Sequence, residues 1–402
     1  MPTPPLEITA RDAGSRARAG VLHTAHGNVR TPAFVPLATK ATVKGLEPRD
    51  VAALGYDMVL GNTFHLFLDP GHELIAKLGG LHRFMAWDRP IVTDSGGFQV
   101  FSMGHGTVAD EVKGRASQGE DRMGKVLSIE EEGVRFRSYL DGSERFMAPE
   151  TSMEVQAALG SDLALVFDEC TPFHVTRDYT ARSTERTHRW LRRCLDWHAQ
   201  HGPEGQLVYG IVQGGVFEDL RVESAQAVAA SGCDGIAIGG SLGADKAQIY
   251  EVTGWTTAVL PDEKPRHLLG IGEVDDLIAG VELGIDSFDC AMPTRLGRHG
   301  MALVPDPANR WRVDLAKAQW RDSDEPILHG CPCPACSAGF SRAYLRYLVK
   351  GRELTGVRLL VLHNLSFLAR LMEDLRGAIA EGRLAEVAAA LRAGDSPRGA
   401  AG

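Results

Sequence analysis

Eight short β-rich runs fall along this chain, at 32–38 (PAFVPLA), 58–63 (MVLGNT), 90–95 (PIVTDS), 163–169 (LALVFDE), 207–213 (LVYGIVQ), 235–240 (GIAIGG), 267–272 (HLLGIG) and 287–292 (SFDCAM). Near-continuous apolar runs of this length are what strands of a parallel sheet, buried on both faces, require. Helical spacing separates most of them, over Glu47 to Leu54, Gly71 to Leu81, Pro149 to Leu159, Ser183 to Gln200, Glu218 to Ala230, Asp245 to Leu260 and Val274 to Leu283. Thr151 and Asp245 stand where caps belong, and Gly160, Gly232 and Gly284 where such helices stop. Eight βα-type repeats in about 260 residues match the size of a closed (β/α)8 barrel. A doubly wound open sheet is the competing architecture, but no Gly-x-Gly-x-x-Gly fingerprint follows the first strand. The expected class is α/β, a TIM barrel.

The rest of the sequence attaches to that frame. Residues 1–30 are turn-rich and read as a cap over one end of a barrel spanning 31–310. Within it, 104–124 is a polar, Gly-rich insertion expected as a loop. Residues 126–146 then alternate around Asp141-Gly142, the signature of a hairpin. Residues 311–390 are expected to form an inserted zinc-binding subdomain and closing helices, and 391–402 a disordered tail. The start shows no basic segment followed by an apolar core, and no apolar run nears the ~20 residues that span a bilayer. A cytoplasmic protein with no membrane partner is expected. The formal net charge of −9 argues against indiscriminate binding of nucleic acid, though not against a local basic face.

In such a barrel, chemistry gathers at the C-terminal ends of the strands. Here those ends read Asn62-Thr63, Asp94-Ser95-Gly96-Gly97-Phe98-Gln99, Asp168-Glu169-Cys170, Gln213-Gly214-Gly215, Gly239-Gly240, Gly270-Ile271-Gly272 and Asp289. One aspartate in such a position is ordinarily a helix cap. Acids at three ends, with Gln213 and glycine pairs on the same rim, mark a site instead. Two facing carboxylates suit a retaining glycosyl exchange, one attacking an anomeric carbon and one moving the proton. The remaining acid, Gln213 and backbone amides suit the donor and acceptor edge of a purine, and Phe98 offers a stacking plane. The last run continues as Asp286-Ser-Phe-Asp-Cys-Ala-Met-Pro-Thr-Arg-Leu-Gly-Arg298. It reads as a strand-end acid followed by a basic loop, fit for an anionic substrate, or else as a buried strand with a solvated turn.

Of seven cysteines, three are packed into Cys331-Pro-Cys333-Pro-Ala-Cys336, which looks like a metal site rather than a disulfide framework. With His363 they complete a closed tetrahedral set, hence one structural Zn2+ per chain. The alternative is three reduced core cysteines and an unrelated histidine. Arg342, Arg346, Lys350, Arg352 and Arg358 make this the most basic region, either an RNA-backbone face or solvated helix charge.

Taken together, Asp94-Ser-Gly-Gly-Phe-Gln99, Phe167-Asp-Glu-Cys-Thr-Pro172, Gln213-Gly, Gly239-Gly, Phe288-Asp-Cys-Ala-Met-Pro-Thr-Arg295 and the cysteine–histidine set resemble the bacterial tRNA-guanine transglycosylases, over about residues 6 to 385. The resemblance implies a zinc-bearing barrel, usually a homodimer, that swaps the guanine at the tRNA wobble position for a 7-deazaguanine base. It implies that Asp289 is the nucleophile on the ribose C1′ and Asp94 the general acid/base. Asp168 would pair with the N–H groups of the base, and Gln213 with the Gly240 amide would contact its carbonyl. Ser95, Gly96, Gly97, Cys170, Gly239 and Ser241 would line the same pocket, with Phe98 and Leu269 sandwiching the ring. Thr294, Arg295, Leu296, Gly297 and Arg298 would grip the anticodon loop. Ile271, Gly272, Glu273, Val274, Asp275, Asp276 and Leu277 would be a second RNA-contacting segment.

Three departures stand out. The usual Gly-Gly-Leu-Ala-Val-Gly-Glu reads Gly239-Gly-Ser-Leu-Gly-Ala-Asp245, the cysteine–histidine interval is one residue longer, and 104–124 has no usual counterpart. The incoming base is expected to be preQ1. Gly243, standing where the family has valine, opens room for the larger queuine unless Leu242 moves in to close the gap. An archaeal-type transglycosylase, a sugar-cleaving barrel hydrolase and a non-catalytic RNA-binding paralogue are the rivals. The first lacks support from any added C-terminal domain, the second leaves the metal segment unexplained, and the third would be expected to lose Asp289.

Overall fold

The computed structural model describes residues 5–102 and 126–399. Eight parallel strands close into a barrel: β4 (Ala33–Ala38), β5 (Val59–Gly61), β6 (Ile91–Thr93), β10 (Leu163–Leu165), β11 (Leu207–Val212), β12 (Gly235–Ile238), β13 (Arg266–Leu268) and β14 (Ser287–Cys290). They succeed one another in chain order around the barrel, which shuts where β14 pairs with β4. Each expected run carries one strand, but most strands are shorter than the run. The runs go on past the ladder into Asn, Asp, Gln and Gly, and those residues form the rim.

The expected cap is a three-stranded antiparallel sheet, β1 (Leu6–Arg11), β2 (Arg18–Thr24) and β3 (Gly27–Thr31). It is tied to the barrel by a buried ion pair, in which Arg18 Nε and Nη2 donate to Asp286 at 2.8 and 2.6 Å. Asp286 also accepts from the Arg266 backbone N–H at 2.7 Å. The two acids of the 286–289 stretch therefore part company: Asp286 belongs to the N-terminal end of the barrel and Asp289 to the C-terminal end.

The insertion 104–124 lies outside the described residues. The segment after it is larger than one hairpin: β7 (Val126–Ile129), β8 (Val134–Arg137) and β9 (Glu144–Met147) form a three-stranded sheet. The Asp141-Gly142 turn joins β8 to β9, with Gly142 at φ +72°. Among the helices, Gly71 to Leu81 splits into His72–Lys77 and Gly80–Met85. Gly79 and Gly80, at φ +96° and +81°, force the break. The Ser183 helix begins earlier, at Arg177, because Thr176 caps it through the Tyr179 N–H. Asp245 caps Lys246–Ala258 as expected, whereas Thr151 lies inside the first turn of a helix begun by Pro149.

After the eighth strand the chain forms the helix Met292–Arg298, then the hairpin of β15 (Met301–Leu303) and β16 (Arg312–Asp314). The 27-residue helix Leu354–Ala380 closes the fold. It is long and apolar enough to cross a membrane, which was not expected of any segment, yet its apolar stretch is 72% buried inside the protein. Leu362, Leu365, Leu368 and Leu371 join the barrel core, while Leu359 and Leu360 join a second core around the three cysteines. The end of the chain is docked rather than loose through residue 399. Helix Leu384–Arg392 continues into backbone N–H groups of Arg398 and Gly399 that donate to Asp374 at 2.7 and 2.8 Å.

Candidate active site

Strand alternation decides which side chains enter the barrel. On β14, Ser287 and Asp289 share one face, while Phe288 turns outward against Gly280, where no Cβ would fit. His267 pairs with Ser287 in register and points the same way. Asp289 Oδ1 lies 3.1 Å from His267 Nε2 and accepts from the Gly270 N–H at 3.1 Å. His267 Nδ1 meets Ser287 Oγ at 2.8 Å.

Asp94 comes directly after β6. Its carboxylate accepts from the Asn62 amide and, at 2.8 Å, from the Thr63 N–H. Burial pushes its carboxyl up to about 7, against the pull of the Thr63 N–H, and the negative charge of Asp289 pushes the same way. A carboxyl in that range is able to give or to take a proton near neutral pH.

Asp168 lies just beyond β10 and is buried, where Asp94 is half-buried. Ser95 Oγ donates to its Oδ1 at 3.0 Å and Gln213 Nε2 to its Oδ2 at 2.6 Å. Burial raises it to about 6 in spite of those two bonds. The neighbouring Glu169 turns away, accepting from the Tyr179 hydroxyl at 2.7 Å and pairing with Arg186. Gly97 is required here, since a Cβ would stand 2.6 Å from the Asp168 carbonyl. Gly240, at φ +73°, lies under Gln213 Oε1, a buried atom without a protein partner. A flat polar ligand that reaches Asp168 would meet that amide as well. Phe98, Cys170, Ser241 and Leu269 are half-buried and Gly96 and Gly239 buried; of these, Gly239 lies beside both Leu269 and Gln213.

Three contributors escaped the sequence reading. Asn62 holds Asp94 and His267 holds Asp289. Arg221, fully buried, donates to the carbonyls of Gly215, Gly239 and Ser241 at 2.6, 2.8 and 2.9 Å, fixing the Gly-rich loops. Burial lowers its pKa to about 9. Asn62 was visible as a strand end; nothing in spacing marks an arginine near the start of the helix Glu218–Ala229 as a loop anchor.

The segments expected to contact RNA are mostly packed inward. Met292–Arg298 is a helix with Pro293 in its first turn, not a loop. Thr294, Leu296 and Gly297 are buried, Gly297 against Val361, which leaves Arg295 and Arg298 facing out. Ile271, Gly272, Val274, Asp276 and Leu277 are buried, while Glu273 pairs with Arg310 and Arg312, and Asp275 with Lys246. In the basic C-terminal region Arg358 pairs with Asp50, and Arg342 donates to the carbonyls of Pro326 and Ile327. Those two arginines serve structure. A different basic cluster appears instead: Lys44 is lowered by burial and by the charges of Arg298 and Lys40, and Arg298 by burial and Arg295. Among the described residues, none of these four cations forms an ion pair.

Cys331, Cys333, Cys336 and His363 bring all four donor atoms within 4.8 Å of one another. The sulfurs stand 3.8, 3.3 and 3.5 Å from His363 Nδ1. Those separations match the ~3.5 Å edges of a tetrahedron with Zn–S of ~2.3 Å and Zn–N of ~2.0 Å. His363 Nε2 donates to the Leu303 carbonyl at 2.7 Å, which frees Nδ1 to ligate. The group can hold a metal ion.

Fold and rim together define a (β/α)8 barrel with a polar site at its strand C-termini and a C-terminal subdomain whose Cys3His group can hold a metal ion. The queuine tRNA-ribosyltransferase family pattern matches residues 12–395. Curated queuine tRNA-ribosyltransferases are similar along nearly their whole length: that of Roseiflexus sp. (strain RS-1) is 51% identical, covering 96% of this chain and 98% of its own. That of Pelotomaculum thermopropionicum is 47% identical, covering 94% and 95%. The chain belongs to the queuine tRNA-ribosyltransferase family.

Proposed function

We propose that this protein is a tRNA-guanine transglycosylase that exchanges guanine at the wobble position (34) of GUN-anticodon tRNAs for preQ1. The reading rests above all on the different settings of two rim acids: Asp94, whose carboxyl burial raises to about 7, and Asp289, which has His267 and the Gly270 N–H on one oxygen. Asp289, with two donors on one oxygen, attacks the ribose C1′ while the C1′–N9 bond breaks. The bonding pair leaves on the purine, which takes the proton of the Asp94 carboxyl and leaves Asp94 as a carboxylate. In the second half, Asp94 takes the N9 proton of the incoming base, whose nitrogen displaces Asp289 from C1′. Asp168 and Gln213 face the base edge. Because a missing N–H would leave a buried carboxylate unpaired, they select against pyrimidines. Arg295, Arg298, Lys40 and Lys44, which form no ion pair among the described residues, supply positive charge for the anticodon backbone.

The Gly243 position supports preQ1 over queuine. Gly243 does not open a void, because a Cβ there would meet Gln248 Cγ at 2.6 Å, and Leu242 is buried beside it. One experiment tests the whole reading: release of labelled guanine from tRNA against preQ1 and against queuine, beside trapping of a denaturation-resistant RNA adduct. The expected result is preQ1-driven release and an adduct that Asp289→Asn abolishes. Persistence of the adduct in that variant, or faster exchange with queuine, overturns the corresponding part. A non-catalytic RNA-binding paralogue would bind tRNA with neither signal.

The metal at the Cys3His site is zinc, in a structural role, because four protein ligands leave no open position. Elemental analysis should find about one zinc per chain, and full activity in folded, metal-free protein would refute the role. The chain works in the cytoplasm as a homodimer. The exposed Tyr347 and Leu354 of the C-terminal region, with Leu74, Leu78 and Phe84, are apolar faces a second copy would cover.

A further inference from the structure

We infer that His267 is the positioning residue for the nucleophile, that Ser287 sets its tautomer, and that the atom of Asp289 which attacks is Oδ2. The inference rests on the proposed role of Asp289 and deepens it.

Asp289 Oδ1 has two neighbours, His267 Nε2 and the Gly270 N–H, each at 3.1 Å. Among the described residues no donor is found on Oδ2. A carboxylate oxygen loaded with two donors has its lone pairs committed and its charge partly neutralised, so the other oxygen is the better nucleophile. Two donors on one oxygen also fix the plane of the carboxylate, which therefore need not be ordered when the substrate arrives. His267 can do this only as a donor at Nε2. The Ser287 hydroxyl, 2.8 Å from Nδ1, has a proton to give, and giving it to Nδ1 puts the imidazole proton on Nε2.

The three side chains make a serine–histidine–aspartate series, but its polarity is the reverse of a hydrolase triad. Ser287 precedes Asp289 by two residues on the same inward face of β14, so it lies one step further from the strand's C-terminal end, and it is buried. The aspartate is the member at the rim. The serine therefore acts on the histidine and the histidine on the aspartate, with no attack by serine.

Two amide substitutions separate positioning from packing. Glutamine at 267 carries its N–H₂ about where Nε2 stands and reaches Asp289; asparagine carries it about where Nδ1 stands and reaches Ser287 alone. In single-turnover adduct formation, His267→Gln should stay within ~3-fold of the parent, and His267→Asn should fall ~10–100-fold. The KM for guanine and the affinity for tRNA should be unchanged in both, and the two variants should melt alike. Ser287→Ala should lose ~3–10-fold in the same step, since the imidazole then divides between tautomers. Equal rates for the glutamine and asparagine variants, or a loss that appears in KM rather than in the rate, would overturn the inference. Asp289→Asn run in parallel keeps the two ideas apart. An adduct surviving in that variant sinks the nucleophile assignment itself. An adduct lost there but formed equally by both His267 variants sinks the positioning role alone.

Discussion

The two ends of the barrel use the same side chain in opposite ways. At the N-terminal end stand Asp162 and Asp286, at the C-terminal end Asp168 and Asp289, and all four are buried, with exposures of 2%, 1%, 4% and 7%. The difference lies in the number and kind of donors. Asp162 accepts from the backbone N–H groups of His26 and Ile91 at 2.9 and 2.8 Å, and from His26 Nδ1 at 2.8 Å. His82 Nε2 stands 3.2 Å from its other oxygen. Burial pushes the Asp162 carboxyl up, but the bonds from His82, Ile91 and His26 outweigh it and pull it down to about 2. At the other end burial wins: Asp168, with Ser95 and Gln213 as its side-chain donors, sits at about 6. Asp94 has more donors and still sits at about 7, because the charge of Asp289 adds to the effect of burial. An acid given every donor it can use is a fastener. One left short of donors stores free energy that a ligand can release.

The fastener is not a second metal centre, although His26, His82 and Asp162 bring their donor atoms together. The two imidazoles are stacked, centroids 3.6 Å apart and planes 18° from parallel. Their nitrogen lone pairs lie in those planes and run side by side, so an ion equidistant from both nitrogens would lie well out of each plane. The cysteine–histidine group has no such conflict.

The largest effect on stability is expected at the fastener. Asp162→Asn puts an N–H₂ against donors that it cannot accept from, at a cost of ~2–4 kcal/mol. The lowered pKa fixes the sign of its pH dependence. The carboxylate's contribution is complete above the unfolded value of ~3.9 and is lost as pH falls through about 2. Denaturation curves of parent and variant should therefore differ fully at pH 6 and converge between pH ~4 and ~2. Guanine exchange by the folded variant should be unaltered at 25 °C. A variant as stable as the parent at pH 6 would break the contrast between the ends.

The same division separates the features that were legible in the sequence from those that were not. Near-continuous apolar runs and strand-end polar residues are local signals, so the barrel and the acids Asp94, Asp168 and Asp289 could be read from spacing. The cysteine set was legible because metal ligands cluster in sequence. The hidden features were set by partners distant in the chain. Asp162 gave no sign of meeting His26 and His82, nor did Asp286 of meeting Arg18. The second RNA segment was expected from the resemblance alone, and its acids Glu273 and Asp275 pair with Arg310, Arg312 and Lys246. Conversely, Lys40 and Lys44 come after a strand without any motif, and only barrel closure between β4 and β14 brings them beside Arg295 and Arg298.

A smaller and opposite effect is expected at the rim. The Asp168 carboxyl is raised, so its contribution to stability is fully present below the unfolded value of ~3.9 and lost as pH rises through about 6. At pH 8 the folded protein carries a buried carboxylate with two donors where more are needed. Asp168→Asn removes that charge. The asparagine can keep Ser95 as a donor to its oxygen, while its N–H₂ faces the Gln213 amide. That amide can turn over, because its Oε1 has no protein partner to lose. Thermal or urea unfolding at pH 8 should then show the variant more stable by ~1–2 kcal/mol, with the gain vanishing below pH ~4. Guanine exchange should fall by ~10²–10⁴-fold, since an N–H₂ against the N–H edge of a purine offers donor to donor. A variant that loses activity and also loses stability at pH 8 would mean that Asp168 is a fastener like Asp162. One that keeps its activity would take the base away from this acid altogether.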